Sequence, residues 1–218
     1  MQTFILLKNT KSKLPKKFQK DDNRFPESLV HYFLEKYSKK GDKVLDPFAG
    51  LGTSMIVCEK MNRIPFGIEY DPQRCNYIRK KIMHKENLFC GNSLEIKKLN
   101  LPEFDISITS PPYMPKTEKE NPLRKSNKGY KNYLKDINKI YTGLKKVMKK
   151  NKYIIIEVSN LKNQEVTTLA WDIAREVSKI FHFEGEVIVG WESKSTKASN
   201  GSYGYGYDHS YCLIFKNN

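Results

Sequence analysis

The sequence predicts an α/β fold, a mostly parallel sheet with helices on both faces, and three observations predict it. Apolar runs of strand length alternate with segments of helical period along 218 residues. A glycine-rich turn, Asp46-Pro47-Phe48-Ala49-Gly50-Leu51-Gly52-Thr53, follows one apolar run. A second turn, Thr109-Ser110-Pro111-Pro112-Tyr113, follows another. Open α/β sheets bind ligands outside the carboxyl ends of their strands, so both turns fall on the edge where a ligand would sit.

Taken in order, Lys43 to Asp46, Pro65 to Glu69, Leu88 to Cys90 and Asp105 to Thr109 read as the first four strands, each to be followed by a helix. The helix after Asp71 is the best marked, with Asp71 as N-cap and Pro72 at its first position. Tyr133, Ile137, Ile140, Tyr141, Leu144, Val147 and Met148 recur at helical spacing and predict a helix from Tyr130 to Met148. Tyr153 to Val158 is a β-rich run, and Val166 to Ile180 is again helical. Glu186 to Trp191 and Ser210 to Phe215 then close a count of seven strands. Met114 to Gly129 and Ser193 to Asp208 resist regular structure, and loops of that length are usually functional or disordered. The chain length suits one domain, residues 25–218, after a basic N-terminal segment, residues 1–24.

Lys and Arg outnumber Asp and Glu by 39 to 24, a net charge of +15, which calls for a polyanionic partner. Cys58, Cys75, Cys90 and Cys212 show no Cys-x-x-Cys spacing and no clustered His. They predict neither a metal site nor a disulfide framework but reduced core thiols. No stretch has the apolar length of a membrane span, and the run Phe4-Ile5-Leu6-Leu7 lacks the features of a signal peptide, so the expected place is the cytoplasm, with no membrane partner. Trp171 lies in a helical pattern and reads as core, whereas His209 ends a Tyr- and Gly-rich loop at the ligand edge.

The residue types at the two turns suit a definite chemistry. Gly50 and Gly52 let the backbone approach a ligand, with Asp46 either an acceptor for it or a cap for the next helix. Glu69, one strand on, stands where an acid meets ribose hydroxyls in doubly wound folds. Ser110 offers an acceptor, Pro111 and Pro112 a rigid turn, and Tyr113 a ring for stacking.

Together and in this order, the two turns resemble motifs of the amino methyltransferases, which methylate the exocyclic nitrogen of cytosine or adenine in DNA. The resemblance runs from about Phe25 to the C-terminus. It implies a Rossmann-like seven-stranded methyltransferase sheet with its last strand antiparallel, and S-adenosylmethionine as cofactor. Asp46, Pro47, Phe48, Gly50, Gly52 and Thr53 correspond to the cofactor loop, Phe25 and Pro26 to the segment over the methionine end, and Glu69 to the ribose-binding acid. Asn92, in Gly91-Asn92-Ser93, stands where the family usually has Asp and can accept from the adenine amino group. Ser110, Pro111, Pro112 and Tyr113 correspond to the catalytic motif, and the Ser form resembles enzymes acting on N4 of cytosine. The implied activity is methylation of cytosine N4 in double-stranded DNA by base flipping, as in restriction-modification systems. The alternatives are adenine N6, a tRNA or rRNA acceptor, or a non-catalytic nucleic-acid-binding homologue. Lys116, Lys119, Arg124, Lys125 and Lys128, with Lys194, Lys197, Tyr203 and Tyr205 from the second loop, are the expected nucleic-acid contacts.

Overall fold

The computed structural model describes residues 2–20, 22–124, 129–162, 165–192 and 206–218. The chain begins with β1 (Phe4–Lys8), α1 (Lys16–Gln19), α2 (Glu27–Tyr37), β2 (Lys43–Asp46), α3 (Thr53–Lys60), β3 (Ile64–Glu69), α4 (Pro72–Arg79) and β4 (Leu88–Cys90). It continues through a 3₁₀ segment, Ser93–Lys98, to β5 (Phe104–Thr109), α5 (Gly129–Lys145), β6 (Met148–Val158), β7 (Leu161–Lys162), β8 (Val166–Thr167), α6 (Leu169–Ser178), β9 (His182–Glu192) and β10 (His209–Asn217). Strands β7 and β8 form a small hairpin, and the other eight form one sheet in the order β1-β9-β10-β6-β5-β2-β3-β4. Only β10 runs against its neighbours in that sheet, β6 and β9.

Alternation along each strand explains why both faces are covered. Leu45, Ile154, Ile156, Leu213 and Phe215 point into a core under α5 and α6, built from Tyr133, Ile137, Leu144, Ile173 and Val177. Their chain neighbours Val44, Ile155 and Ile214 point the other way, onto Leu29, Val30, Phe33 and Leu34 of α2. From β2 the sheet grows through β3 and β4 on one side and through β5 and β6 on the other. The carboxyl ends of β2 and β5 therefore flank the switch point, where a crevice opens.

The structure departs from the sequence reading at several elements. The sheet has eight strands because Phe4–Lys8, expected as part of a basic arm, pairs in parallel with Ile188–Glu192 at the edge. The α5 helix ends at Lys145, and β6 already begins at Met148, since Met148 pairs with Phe104 and the strand recruits polar residues that carry no β signal. Val166–Thr167 belongs to the hairpin, so α6 starts only at Leu169. No α-helix but the 3₁₀ segment follows β4.

The thiols also differ from expectation. Cys75 and Cys90 are joined by a disulfide, while Cys58 and Cys212 remain buried thiols. The cause is tertiary. Cys90 ends β4 opposite Glu69 of β3, and α4, which starts three residues after Glu69, folds back over that edge to bring the two Cα atoms to 6.1 Å. No spacing rule reads such a pair from 15 residues of separation. Among the described residues no helix is long and apolar enough to cross a membrane.

Gly143 marks the tightest approach of α5 to the body: a Cβ there would overlap Ile96 of the 3₁₀ segment. Replacing a mid-helix glycine by alanine ordinarily stabilises a helix by about 1 kcal/mol. Here Gly143→Ala should instead destabilise by about 1–3 kcal/mol, as overpacked cores do, in urea unfolding, and the loss should shrink when Ile96→Leu removes the branching methyl.

Candidate active site

One cavity of about 420 Å³ lies over the switch point. The loop after β2 supplies Pro47, Phe48 and Gly50 to its wall, the start of α3 supplies Thr53, β3 supplies Glu69, the turn after β4 supplies Asn92, and the turn after β5 supplies Ser110, Pro111, Pro112 and Tyr113. Phe25 closes it from the N-terminal side. The structure thus brings most of the sequence-selected residues onto one surface. It also adds Arg24, Tyr70, Arg74, Pro122 and Leu123, which carried no motif.

Three selected residues are not on that wall. Asp46 lies beneath it, buried at the end of β2, where one oxygen accepts from the Phe48 N–H at 2.9 Å and from the Thr109 hydroxyl and the other accepts from the Ser54 hydroxyl. Within the fold it serves as a post under the loop. Burial pushes its pKa up to about 6 against those three hydrogen bonds. Gly52 precedes α3 with φ of +81°, and a Cβ there would stand 3.0 Å from Ile78 Cγ1, so glycine is needed to turn the chain into the helix. Pro26 caps α2 by its backbone position.

Glu69 is fixed from two sides. Its Oε2 accepts from the Gly50 N–H at 2.7 Å and its Oε1 from the Asp71 N–H at 2.8 Å, while burial raises its pKa in opposition to these bonds. Asp71 caps α4 by accepting from Gln73 N and Arg74 N. Thr53 Oγ1, in the first turn of α3, is buried with no hydrogen-bond partner among the described residues.

On the side of the second turn, the Tyr133 hydroxyl donates to the Pro112 carbonyl at 2.9 Å. The Tyr113 hydroxyl accepts from Ser159 N–H at 2.8 Å and lies 3.4 Å from Glu157 Oε2. Lys11, from the N-terminal segment, reaches the same neighbourhood: burial lowers its pKa, Asp22 and Glu157 oppose that, and Arg24 adds to it. Arg24 itself is clamped by Asp22 at 2.8 and 2.9 Å and by the Ser12 carbonyl at 3.0 Å.

The expected nucleic-acid contacts divide. Lys116 and Lys119 are exposed just beyond Tyr113, with Lys116 Nζ 3.8 Å from Asp172 and 3.4 Å from the Thr168 hydroxyl. Arg124 is instead held in a two-point pair with Asp136 of α5, both bonds 2.6 Å, and Asn121 donates to the same carboxylate at 2.8 Å. The middle of the 114–129 loop is thereby tied down through a guanidinium selected for phosphate. Lys125, Lys128, Lys194, Lys197, Tyr203 and Tyr205 lie outside the described residues.

Two predictions follow from these contacts. Asn92 accepts from Leu94 N–H and donates to the Leu123 carbonyl, both at 2.9 Å, tying the far wall of the cavity together. Asn92→Asp would set a carboxylate against that carbonyl and should lower the melting temperature of the ligand-free protein by an amount worth about 1–3 kcal/mol. For Asp46, the native state keeps a proton that the unfolded chain releases near its ordinary pKa, so between about pH 4 and 6 this group's contribution to stability falls as pH rises. The stability of Asp46→Asn relative to wild type should therefore rise by up to about 3 kcal/mol between pH 4 and 7 in denaturant titrations, and a pH-independent difference would show that the carboxylate is not perturbed.

Known proteins can now be set beside this geometry. A family of N6/N4 methyltransferases described as DNA methylase matches residues 4–80, and so includes β1 as well as the cofactor-type loop. Type II methyltransferase M.MjaII of Methanocaldococcus jannaschii is 38% identical over 52 residues, covering 24% of this chain and 10% of that protein. M.MthZI of Methanothermobacter thermautotrophicus is 33% identical over 85 residues, 39% of this chain and 23% of that one. The chain thus spans less than a quarter of the length of these two curated relatives. Among solved structures, TrmN from Thermus thermophilus aligns with 92% of this chain and 52% of its own at a TM-score of 0.63 and 14% identity. A methyltransferase from Pyrococcus furiosus aligns with 88% of this chain and 83% of its own at 0.59 and 16%. These likenesses establish the Rossmann-like methyltransferase fold. Through residues 4–80, which hold Phe25, the loop from Asp46 to Thr53 and Glu69, the chain is similar to the amino DNA methyltransferases.

Proposed function

We propose that the protein transfers a methyl group from S-adenosylmethionine to an exocyclic amino nitrogen in DNA, N4 of cytosine ahead of N6 of adenine. The observation that carries this reading is the convergence of Ser110-Pro111-Pro112-Tyr113 with Gly50, Thr53 and Glu69 on one cavity. The residues fit the cofactor: the volume of about 420 Å³ is within the usual range for small-molecule sites, and the unpartnered Thr53 hydroxyl is a group that a ligand would complete. Glu69 would take the ribose hydroxyls, Phe25 would cover the methionine end, and Asn92 would face the adenine. When bound, the cofactor supplies an electrophilic methyl group on a sulfonium.

The rest falls to the chain's own residues. The amino nitrogen of a base has its lone pair delocalised into the ring. Ser110 Oγ and the Pro111 carbonyl would accept its two hydrogens and draw it toward a tetrahedral geometry, with its lone pair aimed across the cavity. The prolines fix the turn, and Tyr133 braces it through Pro112. Tyr113, held at its hydroxyl, would present its ring to a base extruded from the duplex. The Asp46 carboxylate, ionised at neutral pH, would favour a cationic ligand above it. The proton that the nitrogen sheds passes to its acceptors and on to water. Cytosine rests on the Ser form of the motif, DNA on the match to DNA methylases, and a restriction-modification setting on the Type II names of the relatives. Lys116 and Lys119, beside the mouth, would meet phosphates.

Incubation with labelled donor and DNA, followed by nucleoside mass spectrometry, should yield N4-methylcytosine. N6-methyladenine in its place would move the acceptor, and label on a ring carbon would overturn the reading. Ser110→Ala should keep wild-type donor affinity in calorimetry and lose about a hundredfold in turnover, since its acceptor acts chiefly as the nitrogen changes geometry.

A further inference from the structure

Beside the cavity lies a row of rings that the reaction above does not use. Trp171, in the first turn of α6, meets Tyr211 at 4.9 Å between centroids, Tyr211 meets His209 at 5.2 Å, and His209 meets Tyr207 at 5.6 Å. His209 Nε2 is also 3.2 Å from the Tyr211 hydroxyl. The row stands on the ligand edge of the sheet, because Tyr211, near the start of β10, pairs with Val158, the last residue of β6. It is also bonded to the site: Ser159 donates its hydroxyl to the His209 carbonyl at 3.0 Å and its N–H to Tyr113 at 2.8 Å.

Packing does not account for Trp171. The buried face of α6 consists of Leu169, Ala170, Ile173 and Val177, and Trp171, 41% exposed, lies off it, contrary to its reading as core. One turn further on, Arg175 has a side chain 74% exposed and stands 3.9 Å from Asp172, a loose pair because that carboxylate is also bonded to Tyr130 and Thr168 at 2.9 and 3.0 Å. An exposed indole with half-buried rings behind it, bordered by a cation on a chain of net charge +15, suits a base and its phosphate. A base that leaves the stack to reach Ser110 also unstacks its neighbours.

We propose that the rings of Trp171, Tyr211, His209 and Tyr207 form a stacking site for an unpaired nucleotide adjacent to the one being methylated. This rests on the reading of the cavity as a nucleic-acid methyltransferase site. The site takes bases by their π-faces and so tolerates any sequence at that neighbour.

Binding of a labelled single-stranded oligodeoxynucleotide by the full chain, with donor calorimetry in parallel, tests it. Trp171→Ala should weaken oligonucleotide binding about tenfold and leave donor affinity unchanged, while Trp171→Phe should keep most of the affinity. Making the nucleotide on one side of the target base abasic should cost the wild type a similar factor and cost Trp171→Ala nothing more. Wild-type binding by Trp171→Ala, or losses that multiply when the two changes are combined, would overturn the stacking site and leave the methyltransferase reading standing. A wild-type chain that binds donor but no oligonucleotide would overturn both.

Discussion

The carboxylate of Asp46 is the constraint on which the rest of the site depends. Its three donors come from three parts of the chain: Phe48 in the loop after β2, Ser54 in the first turn of α3, and Thr109 at the end of β5. Thr109 is also the residue before Ser110, so one buried acid sets the distance between the glycine-rich loop and the Ser110-Pro111-Pro112-Tyr113 turn. Hydrogen bonds to an ionised acceptor are roughly twice as strong as neutral ones, which lets a single group hold three segments. The cost is desolvation, visible as a pKa near 6, and the charge so retained lies under the cavity floor.

From that post the cavity wall is laced strand by strand. Glu69 of β3 holds Gly50, Ser93 after β4 donates to the Pro47 carbonyl, and Asn92 holds Leu123. Each bond joins a side chain at one strand end to the backbone of a loop from elsewhere, so the loops are positioned by the sheet and not by their own packing. The opposite rim is anchored from farther away, by Asp136 of α5 through Asn121 and Arg124, and by the N-terminal segment through Lys11, Ser12 and Asp22. The pairing of β1 with β9 explains why that segment can reach a site more than 100 residues away in the chain, at Glu157.

The parts of the site legible in the sequence are those whose chemistry is local. Gly52 must adopt a positive φ, Pro72 must start a helix, and Ser110-Pro111-Pro112-Tyr113 needs no partner to be a rigid turn with an acceptor and a ring. Apolar runs of strand length likewise marked seven of the eight main strands, since burial on both faces leaves its mark in each run. What stayed hidden was relational. That Asp46 holds three segments together was not legible, because a strand-end acid beside glycines has two uses that differ only in which way the carboxylate turns. Arg124 looked free for phosphate because its partner, Asp136, is 12 residues on and within another element. The Cys75–Cys90 pair, the edge strand at Phe4–Lys8 and the exposure of Trp171 all depend on which surfaces meet, and composition carries no record of that.

The same distinction governs how the positive charge should be read. Near the cavity much of it is compensated: Arg24 by Asp22, Arg124 by Asp136, and Lys11 by Asp22 and Glu157. Along α5, by contrast, Lys131, Lys135 and Lys139 are all exposed and fall four residues apart, one above another on the outer face. Like charges at that spacing repel and weaken a helix by a few tenths of a kcal/mol per pair. The helix tolerates them because its opposite face buries Tyr133, Ile137, Ile140, Tyr141 and Leu144. A polyanion lying along that face would relieve the repulsion, whereas one at Arg124 would first have to displace Asp136. The exposed charge of α5 therefore lies on a surface that core packing holds rigid, and the basic residues that follow Ser110-Pro111-Pro112-Tyr113 in sequence serve in part to build the rim.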